Sequence, residues 1–224
     1  MESIMQATGK ETPIRVTVKG APQALAGTKL KIAEAAMATL KVRGFAGASA
    51  REIADSGGFN QALIFYHFGS VQKALLAALD LVSARRMRAY RPAFERAQTI
   101  PELASLAREI YAEDLQNGYV TVLGEMVAGG VTDAELGAEV VARIQPWIDM
   151  VESKLRELLS GSPFESMLPA GDVAFAVVAL YLGVDMLGHL EGGHARAESL
   201  LALGERYAPL LEALLPSRPP GEQT

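Results

Sequence analysis

The chain has 224 residues, half of them hydrophobic and about a fifth charged, enough for one large domain or two modest ones around a real core. It contains no cysteine, which excludes a disulfide scaffold, a thiolate nucleophile and a cysteine-ligated zinc site. Its net charge of −5 hides an asymmetry: residues 1–90 carry twelve Lys and Arg against six Asp and Glu, residues 91–224 nine against twenty, so only the first part suits a polyanion.

Residues 1–26 hold Gly9, Pro13, Gly20 and Pro22 and show no helical period. Ile14 to Lys19 alternates briefly, but a lone strand has nothing to pair with. The segment reads as a mobile basic arm carrying Lys10, Arg15 and Lys19, either solvated or reaching the polyanion. Met1-Glu2-Ser3-Ile4 lacks a basic stretch followed by an apolar run, so no leader is expected and the location reads as cytoplasmic.

A first helix is predicted from Thr28, a competent N-cap, with Ile32, Ala35, Ala36, Thr39 and Leu40 at helical spacing and a stop at Gly44. Ser49 caps a short second helix with Glu52 at the capping-box position. Gly57-Gly58 breaks it, and Asn60 caps a short third helix. After Gly69-Ser70 a long helix is expected over residues 71–90, ended by Pro92. Pro101 opens the next, to about Leu115. Another follows from Gly118 and ends at Gly129-Gly130. Thr132 caps a helix to Leu159 with a kink or break at Pro146. Asp172 caps a helix to Leu190, and a last helix runs over residues 195–215. The apolar stretch 173–190, interrupted by Asp185 and His189, reads as a buried interface helix, with no membrane partner expected. Residues 216–224, rich in proline, read as a disordered tail. The fold class is therefore all-α, with about nine helices.

Two short helices joined by a glycine turn and packed on a preceding helix form a helix-turn-helix pattern over residues 49–67. Ile53, Ala54, Phe59 and Ile64 would fill its small core with Leu40 and Phe45. Asn60, Gln61, Ala62, Phe65, Tyr66 and His67 would then face outward, where amide and aromatic groups can meet base edges, phosphates and thymine methyls. Other readings stay open. Tyr66 can close the edge of the core, His67 can cap the helix, and Arg51 can pair with Asp55 at i,i+4.

Residues 28–79 resemble the DNA-binding domain of the TetR family of bacterial repressors. The resemblance rests on Ile32-Ala33-Glu34-Ala35-Ala36, Gly44-Phe45, Ser49-Ala50-Arg51-Glu52-Ile53-Ala54, Ile64-Phe65-Tyr66-His67-Phe68 with Ser70, and Leu75, Leu76 and Ala78. It implies that Thr28, Ser49, Arg51, Tyr66 and His67 meet the DNA backbone, Arg51 also being placed to reach a base edge. Asn60, Gln61 and Ala62 would enter the major groove. Gln61 and Ala62 stand where the family often has Lys and Gly, and Val71 where it has Lys; Lys73 lies two residues on. Each lost phosphate contact should flatten the salt dependence of binding by about one unit.

The resemblance divides the chain into the arm (1–26), a DNA-binding domain (27–70), a helical ligand-binding and dimerisation domain (71–215) and the tail. One recognition helix reads only about four base pairs, so a dimer on a palindromic operator is expected, its two readers roughly 34–36 Å apart. The last two helices suit the dimer, with Phe175, Val178, Leu182 and Met186 on one and Leu203, Tyr207, Leu210 and Leu214 on the other. Tyr111, Tyr119, Leu123, Met126, Trp147, Met150, Phe175 and Tyr181 are the candidate lining of a pocket for a small, largely apolar effector. Glu125 and Asp185 are candidate polar handles or solvent-facing groups.

The expected function is a ligand-released repressor, not an enzyme, with no cofactor or metal. The alternatives are an activator, a regulator of the same fold controlled by a protein partner, or a metal-binding helical enzyme. The last would use His189, Glu191 and His194, but Gly192-Gly193 breaks the helix between the histidines, so they lack the i,i+4 zincin spacing.

Overall fold

The computed structural model describes residues 14–16 and 23–214. A two-stranded ribbon comes first, β1 (Ile14–Val16) and β2 (Gln23–Leu25). Three helices form the helix-turn-helix unit: α1 (Thr28–Gly47), α2 (Ala50–Gly57) and α3 (Ala62–Phe68). The larger helical domain holds α4 (Val71–Arg96), α5 (Ile100–Asn117), α6 (Tyr119–Thr132), α7 (Ala134–Leu159), α8 (Ala170–Glu191) and α9 (Ala195–Ala213). The molecule is all-α apart from the ribbon.

The ribbon corrects the reading of residues 14–16 as an unpaired arm. Ile14 pairs with Leu25, Arg15 with Ala24 and Val16 with Gln23, antiparallel. The partner is too short to show alternation, so it left no trace in the sequence. Leu25 anchors it, buried among Ala33, Ala77 and Leu81 of α1 and α4. Lys10, Lys19 and the tail at 216–224 lie outside the described residues.

Four boundaries also differ from expectation. The N-cap of α1 is Gly27, with Thr28 already helical and exposed. Asp133 caps α7 in place of Thr132, its carboxylate accepting from the Glu135 and Leu136 N–H groups. Asp172 lies in the first turn of α8, three residues past the cap at Pro169. Helix α4 runs through Pro92 to Arg96, and α7 is continuous across Pro146. Both prolines lie on exposed faces, where water can take up the carbonyl they leave unpaired.

The glycine pair in α6 does not end that helix but lets it pack. A Cβ on Gly129 would sit 2.7 Å from the Phe45 ring, and one on Gly130 would sit 3.0 Å from the Cα of Gly137 in α7. Tight packing thus outweighs the roughly 1 kcal/mol helix penalty of each glycine. One apolar core runs without a break through both parts of the chain. Ile32, Leu40, Ile53 and Ile64 meet Leu75 and Leu79 of α4, then Val122, Met126, Leu136 and Val140 of α6 and α7.

Candidate nucleic-acid interface and effector cavity

The reader is built by local chemistry. Ser49 Oγ accepts from the Glu52 N–H and starts α2. Gly58 takes φ 61°, the left-handed value the turn requires. Asn60 Oδ1 accepts from the Ala62 N–H and starts α3. Ile53 and Ile64 are fully buried and Ala54 nearly so, which fixes the crossing of α2 and α3. The outward side of α3 is left bare. Gln61 and Ala62 are exposed, Phe65 is 50% and Tyr66 82% exposed, and Asn60 is exposed beside them. A 50% exposed Phe beside an 82% exposed Tyr gains nothing for the monomer, so this face is shaped for a partner.

Around it, Thr28, Ser49, Arg51 and Lys73 are exposed, while His67 is half-buried with its ring edge-on to Tyr66 at 4.9 Å. Arg51 lies 3.7 Å from Asp55, both highly exposed, so the pair is weak. Arg43 pairs with Glu52 at 3.5 Å, and Lys31 lies over the Phe59 ring at 5.9 Å. Val71 is half-buried against the core. Ser70 Oγ caps α4 by accepting from the Lys73 N–H, leaving the Lys73 side chain free in solvent.

In the larger domain an apolar cavity of about 100 Å³ lies among α4, α5, α6, α7 and α8. Of the residues expected to line a pocket, Leu123, Trp147 and Tyr181 come together on it, joined by Phe94, Ile110 and Val178. The other five lie elsewhere. Met126 is fully buried in the common core, and Tyr119 packs beside α1 with Lys41 5.2 Å over its ring. Met150 lines an open groove between α4 and α7, and Phe175 is 62% exposed. Tyr111 is buried behind Tyr181, edge-on at 5.6 Å. Periodicity marked all eight as inward or aromatic, but it does not tell core from cavity.

The polar wall of the cavity is Arg86. Its guanidinium lies 4.4 Å over the Trp147 ring and is ion-paired with the fully buried Asp114. Arg86 Nε donates to Asp114 Oδ1 at 3.0 Å, and Tyr90 OH donates to the same oxygen at 3.0 Å. Tyr181 OH donates to Asp114 Oδ2. Burial above all pushes the Tyr90 and Tyr181 hydroxyls far above their ordinary pKa, and Tyr111 up to about 12. Sequence reasoning missed Arg86 and Asp114. The signal was there: Leu75, Leu79, Val82, Arg86 and Tyr90 are one stripe at helical spacing, and Arg86 is the charge within it.

Contacts tie the reader to this domain. Glu125, a candidate ligand handle, instead accepts the Phe45 N–H at 2.7 Å, where α1 breaks at Gly44. Lys41 Nζ donates to the Asn117 carbonyl at 2.6 Å. Within the larger domain, Arg143 pairs with Asp80 at 2.7 Å. Burial pushes the Asp80 carboxyl up, opposed by Arg143. Asp185 is buried next to His189 and His194, and burial likewise pushes its carboxyl up.

On the outside, α8 and α9 expose Phe175, Leu180, Leu187 and Leu190, and Leu203, Leu210, Leu211 and Leu214. The α8 helix is long and apolar enough to cross a membrane, yet only 17% of its most apolar window is buried within this chain. The sequence reading of α8 as buried therefore does not hold within one chain.

Residues 32–79 match the family model for bacterial regulatory proteins of the tetR family. No curated protein sequence matches the chain. Among solved structures, a putative transcriptional regulator from Pseudomonas aeruginosa PAO1 is similar at 25% identity and TM-score 0.64, over 83% of this chain and 90% of that one. The fatty acid degradation regulator FadR from Bacillus halodurans is similar in fold at 14% identity and TM-score 0.70, over 82% and 96%. A TetR-family regulator from Cytophaga hutchinsonii is similar in fold at 16% identity and TM-score 0.66, over 85% and 96%. The chain carries the helix-turn-helix DNA-binding domain of the TetR family, on the fold of that family's transcriptional regulators.

Proposed function

We propose that this protein is a repressor that binds a palindromic operator as a dimer and leaves it when a compact, largely apolar effector enters the cavity beside Arg86. The reading is of a binding protein without catalysis, acting in the cytoplasm where the DNA is. The observation that carries it is the position of Arg86. The side chain that walls the cavity stands on α4, whose first turn follows directly on the recognition helix α3.

Two further features support the reading. The exposed apolar faces of α8 and α9 are side by side, as a four-helix interface with a second copy requires. The cavity is small, about 100 Å³, where drug-sized ligands occupy roughly 300–1,000 Å³. An effector larger than its present volume must part α4, α7 and α8. Such an effector binds one helix arrangement better than the other, which is the condition for shifting the population between them.

The test is fluorescence anisotropy on the duplex upstream of the protein's own gene, at two salt concentrations, against scrambled competitor. Tight binding that resists the competitor and weakens steeply with salt is expected, with two chains per duplex. Binding no tighter than to the scrambled duplex would sink the reading for that operator, and one chain per duplex would sink the dimer.

A further inference from the structure

The break at Gly192-Gly193, which spoils zincin spacing in the sequence, folds the chain back on itself. Gly192 adopts φ 71°, and His194 returns to lie beside the last turn of α8, its ring 5.1 Å from that of His189. Gly188 leaves room for it, since a Cβ there would sit 2.5 Å from His194 Nδ1. Asp185 completes the group. Its side chain is 3% exposed, and its Oδ1 has no hydrogen-bond partner among the described residues. A buried carboxylate oxygen without a partner is costly, so what it faces matters. It faces His189 Nδ1 at 3.4 Å, and one ligand atom from each of Asp185, His189 and His194 lies within 4.8 Å of the others.

We infer that Asp185, His189 and His194 form a binding site for a divalent transition-metal ion of the zinc, cobalt or nickel kind. Donor atoms around a tetrahedral zinc stand about 3.3–3.5 Å apart, given metal–ligand distances near 2.0–2.2 Å. The Asp185–His189 pair already has that separation, and the His194 ligand atom lies within 4.8 Å of both. Two imidazoles with one carboxylate favour such ions over magnesium or calcium, which take oxygen ligands. Each imidazole also has a hydroxyl at one ring nitrogen: Tyr111 OH is 3.0 Å from His194 Nδ1, and Thr121 Oγ1 is 3.2 Å from His189 Nε2. Hydroxyls there orient each ring, as partners of metal-bound histidines do, and an ion on His189 Nδ1 would replace that nitrogen's 3.1 Å contact with the Asp185 carbonyl oxygen. His189 is exposed, giving an ion a way in. A bound ion would pin the end of α8 to the start of α9 and, through Tyr111, to Tyr181 on the cavity. The site stands apart from the DNA-binding reading.

Untagged, chelator-stripped full-length protein is titrated with Co²⁺, followed by its visible ligand-field bands. Zn²⁺ is measured by competition with a chromophoric chelator, and Mg²⁺ serves as contrast. The expected result is one Co²⁺ or Zn²⁺ per chain, with no competition from Mg²⁺. The double variant H189A/H194A should lose at least about 100-fold in affinity, and D185N and Y111F about 10–100-fold each, with helical circular dichroism unchanged. The chain has only three histidines, so uptake that survives in H189A/H194A would place the ion elsewhere and overturn the site. Absence of saturable uptake by the wild type at micromolar metal would overturn it equally. If H189A/H194A fails to fold, D185N and Y111F decide alone: unchanged affinity in both overturns the site.

Discussion

In the DNA-reading unit the space between helices is filled by Leu40, Ile53 and Ile64, all fully buried and apolar. Between α4, α5 and α8 the corresponding space is filled by Arg86, Asp114, Tyr90 and Tyr181, joined in one hydrogen-bonded group. The first kind of core depends on volume and tolerates change by degrees. The second depends on every partner being present, because a buried charge that loses its mate has no water to turn to. The apolar packing around α2 and α3 and the polar group between α4, α5 and α8 are thus stabilised by different physics.

The sharpest test of that difference is Asp114→Ala. It strands the Arg86 guanidinium and should destabilise the protein by about 3–5 kcal/mol in chemical denaturation. The double variant R86M/D114L should recover most of the loss, because two apolar groups leave no charge unpaired. If the double is as unstable as the single, the network is not what holds these helices.

Alkaline titration reports on the buried tyrosines of the larger domain. Tyr90, Tyr111 and Tyr181 keep their protons above the ordinary value near 10, chiefly because they are buried. The folded state then holds protons that the unfolded state gives up. The stability these groups contribute is complete below pH of about 10 and is lost as pH rises toward and past the folded values. The last rise in tyrosinate absorbance should therefore coincide with loss of helix. Complete ionisation with helix intact would contradict the burial.

Glu125→Ala removes the acceptor of the Phe45 N–H and should cost about 1–3 kcal/mol. Its larger effect should be on communication: effector should release operator less completely than in the wild type, measured by anisotropy. The smallest effect expected is that of Lys73→Gln, which should lower the salt slope of operator binding by about 0.9 and leave the melting temperature unchanged.

Legibility in the sequence followed the range of the forces involved. Ser49, Gly58 and Asn60 act on residues two or three places away, so the turn and both caps of the reader could be read from order alone. Pro92 and Gly129-Gly130 carry the same local signals, yet their helices continue. In one case the proline lies on an exposed face where the freed carbonyl is open to water, and in the other Phe45 and Gly137, distant in sequence, fill the space. Leu123, Trp147 and Tyr181 were legible as inward-facing, but which inward face encloses a cavity depends on how five helices meet. Arg86 and Asp114 are 28 residues apart and announce themselves only as charges on apolar stripes.

The Phe45 ring seated against Gly129 has a genetic reading. With the ring so close, even alanine at 129 must displace either the ring or the helix that bears it. If the protein is the ligand-released repressor proposed above, a screen for alleles deaf to inducer, or for alleles that never repress, should return position 129, which lies on neither α3 nor the cavity lining. Suppressors of such alleles should shrink the ring, Phe45 to leucine first among them.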